Sequence, residues 1–360
     1  MTRFGVEEEF ALLDEETFVP VPLGGAAIDA LSGGTGAYRA GTVKKEFLTS
    51  QVEFATSPVH TLAEAETQLQ PCRRSLSEFA RQHRAVAIGM GTAFGIAPAG
   101  TVTRSERYGQ IAHWLGRISD THHVNGLHVH VEIPDEEARV RAMNGVRPWL
   151  PVLLALSANS PFAEACDTGH DSWRSIIMRR LPLFGAPPHF ADADDYHSNV
   201  DRLIDAHVIP DAASVAWVAR VSARYPTLEI RVFDAQLCTA DTLLLAALCR
   251  ALALTQPIDG PVHDAEAIQT SLWSAARWGM EATLVHPVSA EPVTARAATE
   301  LLLQTIAPAL ELAGDLEYAQ EHLSRVLREG NGAQRQRAAH HASGIAGLRA
   351  LVSAPQPAAA

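Results

Sequence analysis

Four segments of the chain share one alternating pattern. Each predicts a β-strand that is apolar on one side and charged on the other, because successive side chains of a strand point to opposite faces. Residues 127–133 read LHVHVEI, so four aliphatic side chains alternate with two histidines and a glutamate. The same alternation occurs in FGVEEEFALLD at 4–14, QVEFAT at 51–56 and TLEIRVFD at 227–234. Such strands predict a sheet with one face in the core.

The polar side of these strands has an unusual composition. A solvent-facing strand normally mixes acids with Lys, Ser, Thr and Gln, whereas this side has no lysine and consists of Glu7, Glu9, Glu53, His128, His130, Glu132, Glu229 and Arg231. If the strands pair in one sheet, five carboxylates meet on one face and repel one another unless a cation binds. Carboxylates with one or two imidazoles favour Mg²⁺ or Mn²⁺. An arginine beside them is suited to a phosphate or a phosphoryl group in transfer.

For each residue alone, plainer interpretations stay open. Any one glutamate fits a solvent-facing position, and His128 fits an ordinary core or surface histidine. For Arg231, a salt bridge with a neighbouring glutamate competes with a phosphate contact, and Lys44 is expected in a solvated loop. Glu8 stands apart because it points to the apolar side. We expect it to pair with a buried arginine or to lie at the sheet edge.

Composition narrows the function classes. The chain has 360 residues, 47% of them hydrophobic, and a net charge of −12, which is typical of a globular protein and disfavours a nucleic-acid partner. The four cysteines form no CxxC pair, the N-terminus has no signal-peptide pattern, and the apolar run at 242–257 contains Arg250. We therefore expect a cytoplasmic protein without a membrane span. Neither a P-loop nor a full dinucleotide motif is present.

Strands cluster in the first two-thirds of the chain and helices in the last third, which predicts an α+β fold. Thr61 and Glu64 predict a capping box at the start of a helix that Pro71 is expected to kink. From Ala265 onward we expect helices alone, with residues 329–342 as a loop. Residues 1–352 are expected to form a single catalytic domain, and 353–360 a disordered tail.

Several segments together resemble the carboxylate-amine ligase family related to glutamate–cysteine ligase, within the glutamine synthetase-like superfamily. The resemblance runs to about residue 337 and rests on FGVEEEFALLD, KKEFLTSQVEFAT, GLHVHVEIPD, ANSPF with TGHDSWRS, GAPPHF, RYPTLEIRVFDAQ, WSAARWGMEATLV and GNGAQRQR. One segment, GMGTAFGIAPAG at 89–100, departs from the Gly-Thr-His-Pro-Phe pattern of the family. That departure leaves local substrate contacts open.

The resemblance implies a role for individual residues. Arg231 matches the arginine that contacts the transferred phosphoryl group of ATP, and with Glu53 it is a candidate catalytic residue. Arg174 matches the arginine that binds the carboxylate substrate. Arg335 and Arg337 lie in a late arginine motif whose role the resemblance leaves open. The implied metal ligands are Glu7, Glu9, Glu46, Glu53, His128 and Glu229.

The resemblance also implies a fold and an activity. The fold is a curved antiparallel sheet that forms an active-site funnel, with helices on its outer face. The activity is ATP-dependent amide formation between a glutamate-like acid and an amine through an acyl phosphate, with Mg²⁺ or Mn²⁺ as the metal. If the amine is cysteine, the enzyme is a weak glutamate–cysteine ligase. A metal-dependent amide or phosphoester hydrolase and an inactive binding protein are the alternatives. The resemblance suggests a homodimer, but the oligomeric state stays open.

Overall fold

The computed structural model describes residues 2–32, 41–255 and 262–353. The expected disordered tail lies outside these residues except for Ser353, which ends the last helix. The strands of the described residues are β1 Phe4–Asp14, β2 Thr42–Lys45, β3 Gln51–Ala55, β4 Ala85–Ile88, β5 Gly126–Glu132, β6 Phe162–Ala163, β7 Cys166–Asp167, β8 Ala219–Val221, β9 Thr227–Asp234, β10 Thr283–Val285 and β11 Pro292–Thr294.

Helices follow or separate these strands, and short 3₁₀ turns connect some of them. The helices are α1 Gly24–Ser32, α2 Leu62–Gln82, α3 Glu106–Leu115, α4 Glu136–Val146, α5 Leu150–Ser157, α6 Trp173–Met178, α7 Ala193–Asp205, α8 Thr239–Leu254, α9 Ala265–Trp278, α10 Ala295–Ala313, α11 Leu316–Glu329 and α12 Gly332–Ser353. None of the described helices combines the length and the apolarity that crossing a membrane requires.

One antiparallel sheet contains all four strands that the alternation predicts. Its order is β2-β3-β1-β5-β9-β8, and β4 pairs with the second half of β1. The register changes between Leu127 and Val129 on β5, where the ladder to β9 is irregular. A register change of this kind, as in a β-bulge, increases the local twist of a strand and changes the direction of its side chains. The predicted α+β arrangement is thereby confirmed.

The apolar face of the sheet is buried under helices. Side chains such as Val6, Val129 and Ile230 are at most 1% exposed and belong to one hydrophobic cluster with residues of α2, α5 and α8. Helix α8 contacts both β1 and β5 and is buried along nearly its whole length. The polar face of the sheet is therefore the one that remains available for a site.

Local signals explain where the elements begin and end. The capping box of Thr61 and Glu64 is present, and α2 continues through Pro71. Two expectations for the last third are wrong. A hairpin of β10 and β11 interrupts the helices, and most of 329–342 belongs to α12. The missed start of α12 is a capping box in which Asn331 and Gln334 exchange hydrogen bonds between side chain and backbone, at 3.0 and 3.1 Å.

Candidate active site

The sheet register brings the polar residues of different strands together. Glu9 lies opposite Glu53 on β3, and Glu7 lies opposite His128 on β5. Glu229 of β9 is carried to the same face by its pairing with His130. Like charges that lie directly opposite each other on neighbouring strands destabilise a sheet. This arrangement therefore requires something positive on the polar face.

Three carboxylates form the tightest part of the group. One oxygen from each of Glu9, Glu46 and Glu53 lies within 4.8 Å of the others. Burial and the neighbouring Glu9 and Glu53 raise the pKa of Glu46 well above its ordinary value. Burial and Glu7 also raise the pKa of Glu53, to about 7, although Lys44 opposes the shift. The protein by itself thus supplies too little positive charge to keep all these carboxylates ionised.

A second part of the group surrounds His128. Its Nδ1 is 3.3 Å from Glu7 Oε2 and 3.9 Å from Glu229 Oε1, and its Nε2 is 3.9 Å from Glu9 Oε1. Burial acts to raise the pKa of Glu7, but the nearby His128 and His130 outweigh it and lower that pKa. We call the combined set of Glu7, Glu9, Glu46, Glu53, His128 and Glu229 the acidic cluster.

The acidic cluster fits a hard divalent cation. Its donors are carboxylate oxygens and one imidazole, which is the ligand chemistry of Mg²⁺ and Mn²⁺, and no thiolate is among them. Cys72 and Cys249 are buried elsewhere, in the core cluster of α2 and α8. Burial and the repulsion between neighbouring carboxylates raise the pKa values of Glu46 and Glu53, and a bound cation would oppose both effects.

Two basic residues of the site were not predicted. Lys44 on the edge strand β2 does not lie in a solvated loop. Its Nζ is 3.0 Å from Glu53 Oε1 and 3.6 Å from Glu7 Oε1. Arg220 on β8 holds Glu229 with two hydrogen bonds, of 2.8 and 3.1 Å. The alternation in the three-residue strand Ala-Arg-Val at 219–221 is the only sequence signal for Arg220 and is too short to identify a strand.

Glu132 is not part of this group, although it lies on the same side of β5. It forms an ion pair with Arg3 at the end of the strand, and its side chain is 23% exposed. Glu46 of the β2–β3 loop takes its place among the clustered carboxylates. His130 lies closer, with Nδ1 3.0 Å from Thr227 Oγ1 and Nε2 3.6 Å from Glu7 Oε2. Alternation along β5 puts His130 and Glu132 on the same side of the strand and therefore could not predict that only His130 lies near the cluster.

Arg174 is a buried guanidinium with unused hydrogen-bond donors. It lies at the start of α6 and is 2% exposed, and neither Nε nor Nη1 has a hydrogen-bond partner. The nearest carboxylate is Asp234, whose Oδ1 is 3.9 Å from Nη1. Asp234 already accepts hydrogen bonds from Asn159 N, Ser160 Oγ and Ser172 Oγ. Arg174 is therefore free to bind an acidic ligand.

For Arg231 the sequence left two partners open, a neighbouring glutamate and a phosphate. Its Nη1 is 3.4 Å from Glu229 Oε1, so it does form an ion pair with a neighbouring glutamate. Burial and the nearby Arg220 lower the pKa of Arg231 to about 10. Since Arg220 already satisfies Glu229 with two hydrogen bonds, Arg231 retains donors for another anion.

One cavity of about 200 Å³ joins these elements. Its lining includes Glu9, Glu46 and His128 of the acidic cluster together with Arg174 and Arg231. We call it the active-site cavity. A larger cleft of about 880 Å³ lies beside α2 and the end of α12 and contains none of these side chains. The smaller cavity is the candidate site because it holds the clustered titratable groups and the unpaired donors of Arg174.

Glu8, Arg335 and Arg337, which the sequence also singled out, lie away from this cavity and from the acidic cluster. Glu8 points into the core, as predicted, and pairs with the buried Arg73 of α2. Arg335 binds Asp241 of α8 at 2.5 Å, and Arg337 binds Asp167 at 2.8 Å and also Asp171. Both late arginines thus anchor the first turns of α12 to the rest of the fold.

The chain is similar to known proteins over nearly its whole length. A model of the glutamate–cysteine ligase family 2 matches residues 3–350. A protein of Saccharopolyspora erythraea named "putative glutamate–cysteine ligase 2-2" is 40% identical over 97% of this chain and 91% of its own. A "putative glutamate–cysteine ligase 2" of Salinispora arenicola is 39% identical over 92% of this chain and 89% of its own.

Two solved structures share the fold at low sequence identity. The glutamate–cysteine ligase of Francisella tularensis in complex with AMP superposes with a TM-score of 0.70 at 13% identity, over 99% of this chain and 90% of its own. A bifunctional glutathione synthetase from Pasteurella multocida gives a TM-score of 0.66 at 17% identity. The match covers 97% of this chain but only 52% of that longer protein.

Proposed function

The chain belongs to the glutamate–cysteine ligase family 2, and from this premise we propose that it is an ATP-dependent ligase that joins a glutamate-like carboxylic acid to an amine. One observation supports this most strongly. A single cavity holds carboxylates suited to a metal–phosphate complex next to a buried arginine with unpaired donors. A ligase that activates an acid with ATP needs both features at one place.

Each part of the site has a role in this proposal. Arg174 binds a carboxylate of the acid substrate, for which a planar guanidinium is the best partner. Arg231 would contact the phosphoryl group and neutralise the charge that spreads over its oxygens during transfer. The acidic cluster would hold Mg²⁺ or Mn²⁺, which when bound supplies positive charge for the phosphates of ATP. Lys44 lies beside Glu7 and Glu53 at the edge of that cluster.

The reaction then has two steps. The side-chain carboxylate of the acid attacks the γ-phosphate of ATP, which gives an acyl phosphate and releases ADP. The amine attacks the acyl carbon, the bond to phosphate breaks, and an amide and inorganic phosphate are formed. No protein side chain acts as the nucleophile, so positioning and charge neutralisation account for the rate. We further propose that residues 1–352 form a single catalytic domain and that the enzyme acts in the cytoplasm, where cysteines stay reduced.

The hydrolase alternative receives no support. The relatives and structures described above are ligases or a synthetase by their descriptions. A hydrolase on the same acidic cluster would turn over without nucleotide and would need no second, amine substrate. A ligase must also hold an acid beside ATP, and the unpaired donors of Arg174 next to the cluster are suited to bind that acid.

The test measures ADP release with glutamate, an amine and Mg²⁺, with each component omitted in turn. We expect sustained ADP release over many turnovers only when all are present, and at least a 100-fold loss of rate in Glu53→Gln and in Arg231→Ala. Glu132→Gln is the matched control, because Glu132 lies on the same side of β5 but pairs with Arg3 outside the cluster. Turnover without nucleotide, or full activity in both site variants, would refute the proposal.

A further inference from the structure

Gly126, the first residue of β5, lies at the junction of the two halves of the site. Its backbone N–H donates to Oε2 of Glu9, a member of the acidic cluster, at 2.6 Å. The guanidinium of Arg174 occupies the space in which a side chain at position 126 would begin. One residue thus adjoins both a candidate metal ligand and the candidate carboxylate-binding arginine.

The space beside the α-carbon of Gly126 is filled by the guanidinium. A β-carbon at this position would lie 2.5 Å from Nη2, 3.0 Å from Cζ and 3.3 Å from Nε of Arg174. Non-bonded heavy atoms pack best at about 3.5–4.0 Å. A β-carbon at 126 and the guanidinium in its observed position therefore exclude each other.

The backbone conformation of Gly126 does not require glycine. Gly126 does not have a positive φ, and it pairs with Asp234 in the ladder between β5 and β9. An alanine adopts such an extended conformation without strain. Glycine is needed at this position because of space alone, and it is Arg174 that uses the space.

The surroundings of Arg174 fix its backbone and its counter-charge. Its own N–H donates to Ser160 Oγ at 3.0 Å, and Trp173 N donates to Ser160 O at 2.9 Å. Asp234, whose Oδ1 is 3.9 Å from Nη1, has no room to withdraw, because a β-carbon on Gly91 would lie 2.7 Å from its Cγ. Only the far end of the Arg174 side chain can therefore yield to a β-carbon at 126.

We propose that Gly126 is a positioning residue of the acid-substrate site. Because it has no side chain, the guanidinium of Arg174 lies next to the acidic cluster with its donors free for a substrate carboxylate. The hydrogen bond from Gly126 to Glu9 then sets the spacing between Arg174 and the metal ligands, which an acid must match to reach the γ-phosphate. This inference rests on the proposed ligase function and adds a residue to its machinery.

Gly126→Ala tests the proposal in the ADP-release assay. We expect the variant to fold, with the guanidinium displaced. Since the loss of one hydrogen bond to a charged group weakens binding about 10-fold or more, kcat/KM for glutamate should fall at least about 10-fold. The KM for ATP should change little, because alanine retains the backbone N–H that binds Glu9.

Gly109→Ala is the matched control. A β-carbon on this exposed glycine of α3 meets nothing within 4 Å, so the same substitution should leave kcat/KM for glutamate unchanged.

The second part of the test repeats Gly126→Ala in the Arg174→Met background, where no guanidinium fills the space. There the alanine should leave kcat/KM for glutamate unchanged, so the two substitutions are not additive. If Gly126→Ala alone fails to fold, the double variant should fold, because the space for the β-carbon is then empty. A residue with only a general structural role would show neither effect.

The outcomes are distinct. An unchanged kcat/KM for glutamate in Gly126→Ala, or an equal loss in both backgrounds, would overturn the inference. A parallel rise in the KM for ATP would also overturn it, because the effect would then lie in the acidic cluster. So would a double variant that fails to fold although Arg174→Met folds. These results leave the ligase function intact, whereas ADP release by the unsubstituted protein that does not depend on an acid and an amine would refute that function itself.

Discussion

Glu8 and Arg73 offer the sharpest test of how this fold accommodates three consecutive acids. Both side chains are almost fully buried, at 3% and 7% exposure, and they share two hydrogen bonds, of 3.0 and 2.5 Å. Arg73 also donates to the carbonyls of Gln236 and Leu237. Removing one partner of a buried ion pair leaves an uncompensated charge, which costs about 3–5 kcal/mol.

We therefore expect Glu8→Leu and Arg73→Met each to lower the free energy of unfolding by about 3–5 kcal/mol. The double variant buries no charge, but it leaves the carbonyls of Gln236 and Leu237 without their donor and the Thr242 hydroxyl without Glu8 as its acceptor. Each such orphan costs about 1–3 kcal/mol, so the double variant should be far less destabilised than the sum of the two single variants. Urea denaturation of the four proteins of this cycle gives the coupling energy.

Glu132→Gln is the control for the cycle, because its ion pair with Arg3 is exposed to solvent and should contribute little to the free energy of unfolding. Single variants that cost less than about 1 kcal/mol would refute the reasoning, and so would a double variant that costs as much as both singles together. Either result would mean that Glu8 is not an ionised partner of Arg73 in the folded protein.

Three further predictions concern the site. Glu46→Gln should raise the melting temperature in EDTA, because it removes one of three mutually repelling carboxylates. It should also reduce the stabilisation of the protein by added Mg²⁺. Calorimetry with and without Mg²⁺ checks both effects, and an unchanged stabilisation by Mg²⁺ would contradict the metal assignment. The pKa of His122, lowered to about 4 from about 6.5 in an unfolded chain, means that the unfolded state binds the proton first. Stability should therefore fall as the pH drops from 6.5 to 4, by at most about 3 kcal/mol, and His122→Asn should flatten this dependence in urea titrations. Arg174→Met should raise the KM for glutamate about 100-fold in the ADP-release assay, whereas a comparable rise in Arg180→Met, an exposed arginine that binds Thr121, would argue against a specific carboxylate contact.

The polar faces of the site's strands could be predicted because side chains along a strand alternate between two faces. The position of a residue in that alternation therefore identifies the face on which it lies. That rule placed Glu7, Glu9, Glu53, His128 and Glu229 on one face, and the sheet register confirms it. It also separated Glu8 from its two neighbours, and the predicted buried arginine is Arg73. The capping box at Thr61 was equally readable, because its two hydrogen bonds join residues only three positions apart.

Long-range contacts could not be predicted in the same way. The alternation does not say how far along each strand its neighbours pair, so Glu132 could not be told apart from the clustered acids. Lys44 and Arg220 lie on an edge strand and on a three-residue strand, where the pattern is too short to read. The unpaired donors of Arg174 depend on what surrounds a buried helix start, which involves residues from three separate segments.

The sequence by itself thus determined that one face of a sheet would collect acids, and which of them would point into it, because that information is local to each strand. Only the tertiary structure decided which charges neutralise one another and which donors remain free. Those outcomes depend on distances between segments that lie far apart in the chain, and such distances are set by packing. The three acids at 7–9 show both levels: the period separates Glu8 from Glu7 and Glu9, and the helix packed beneath supplies its arginine.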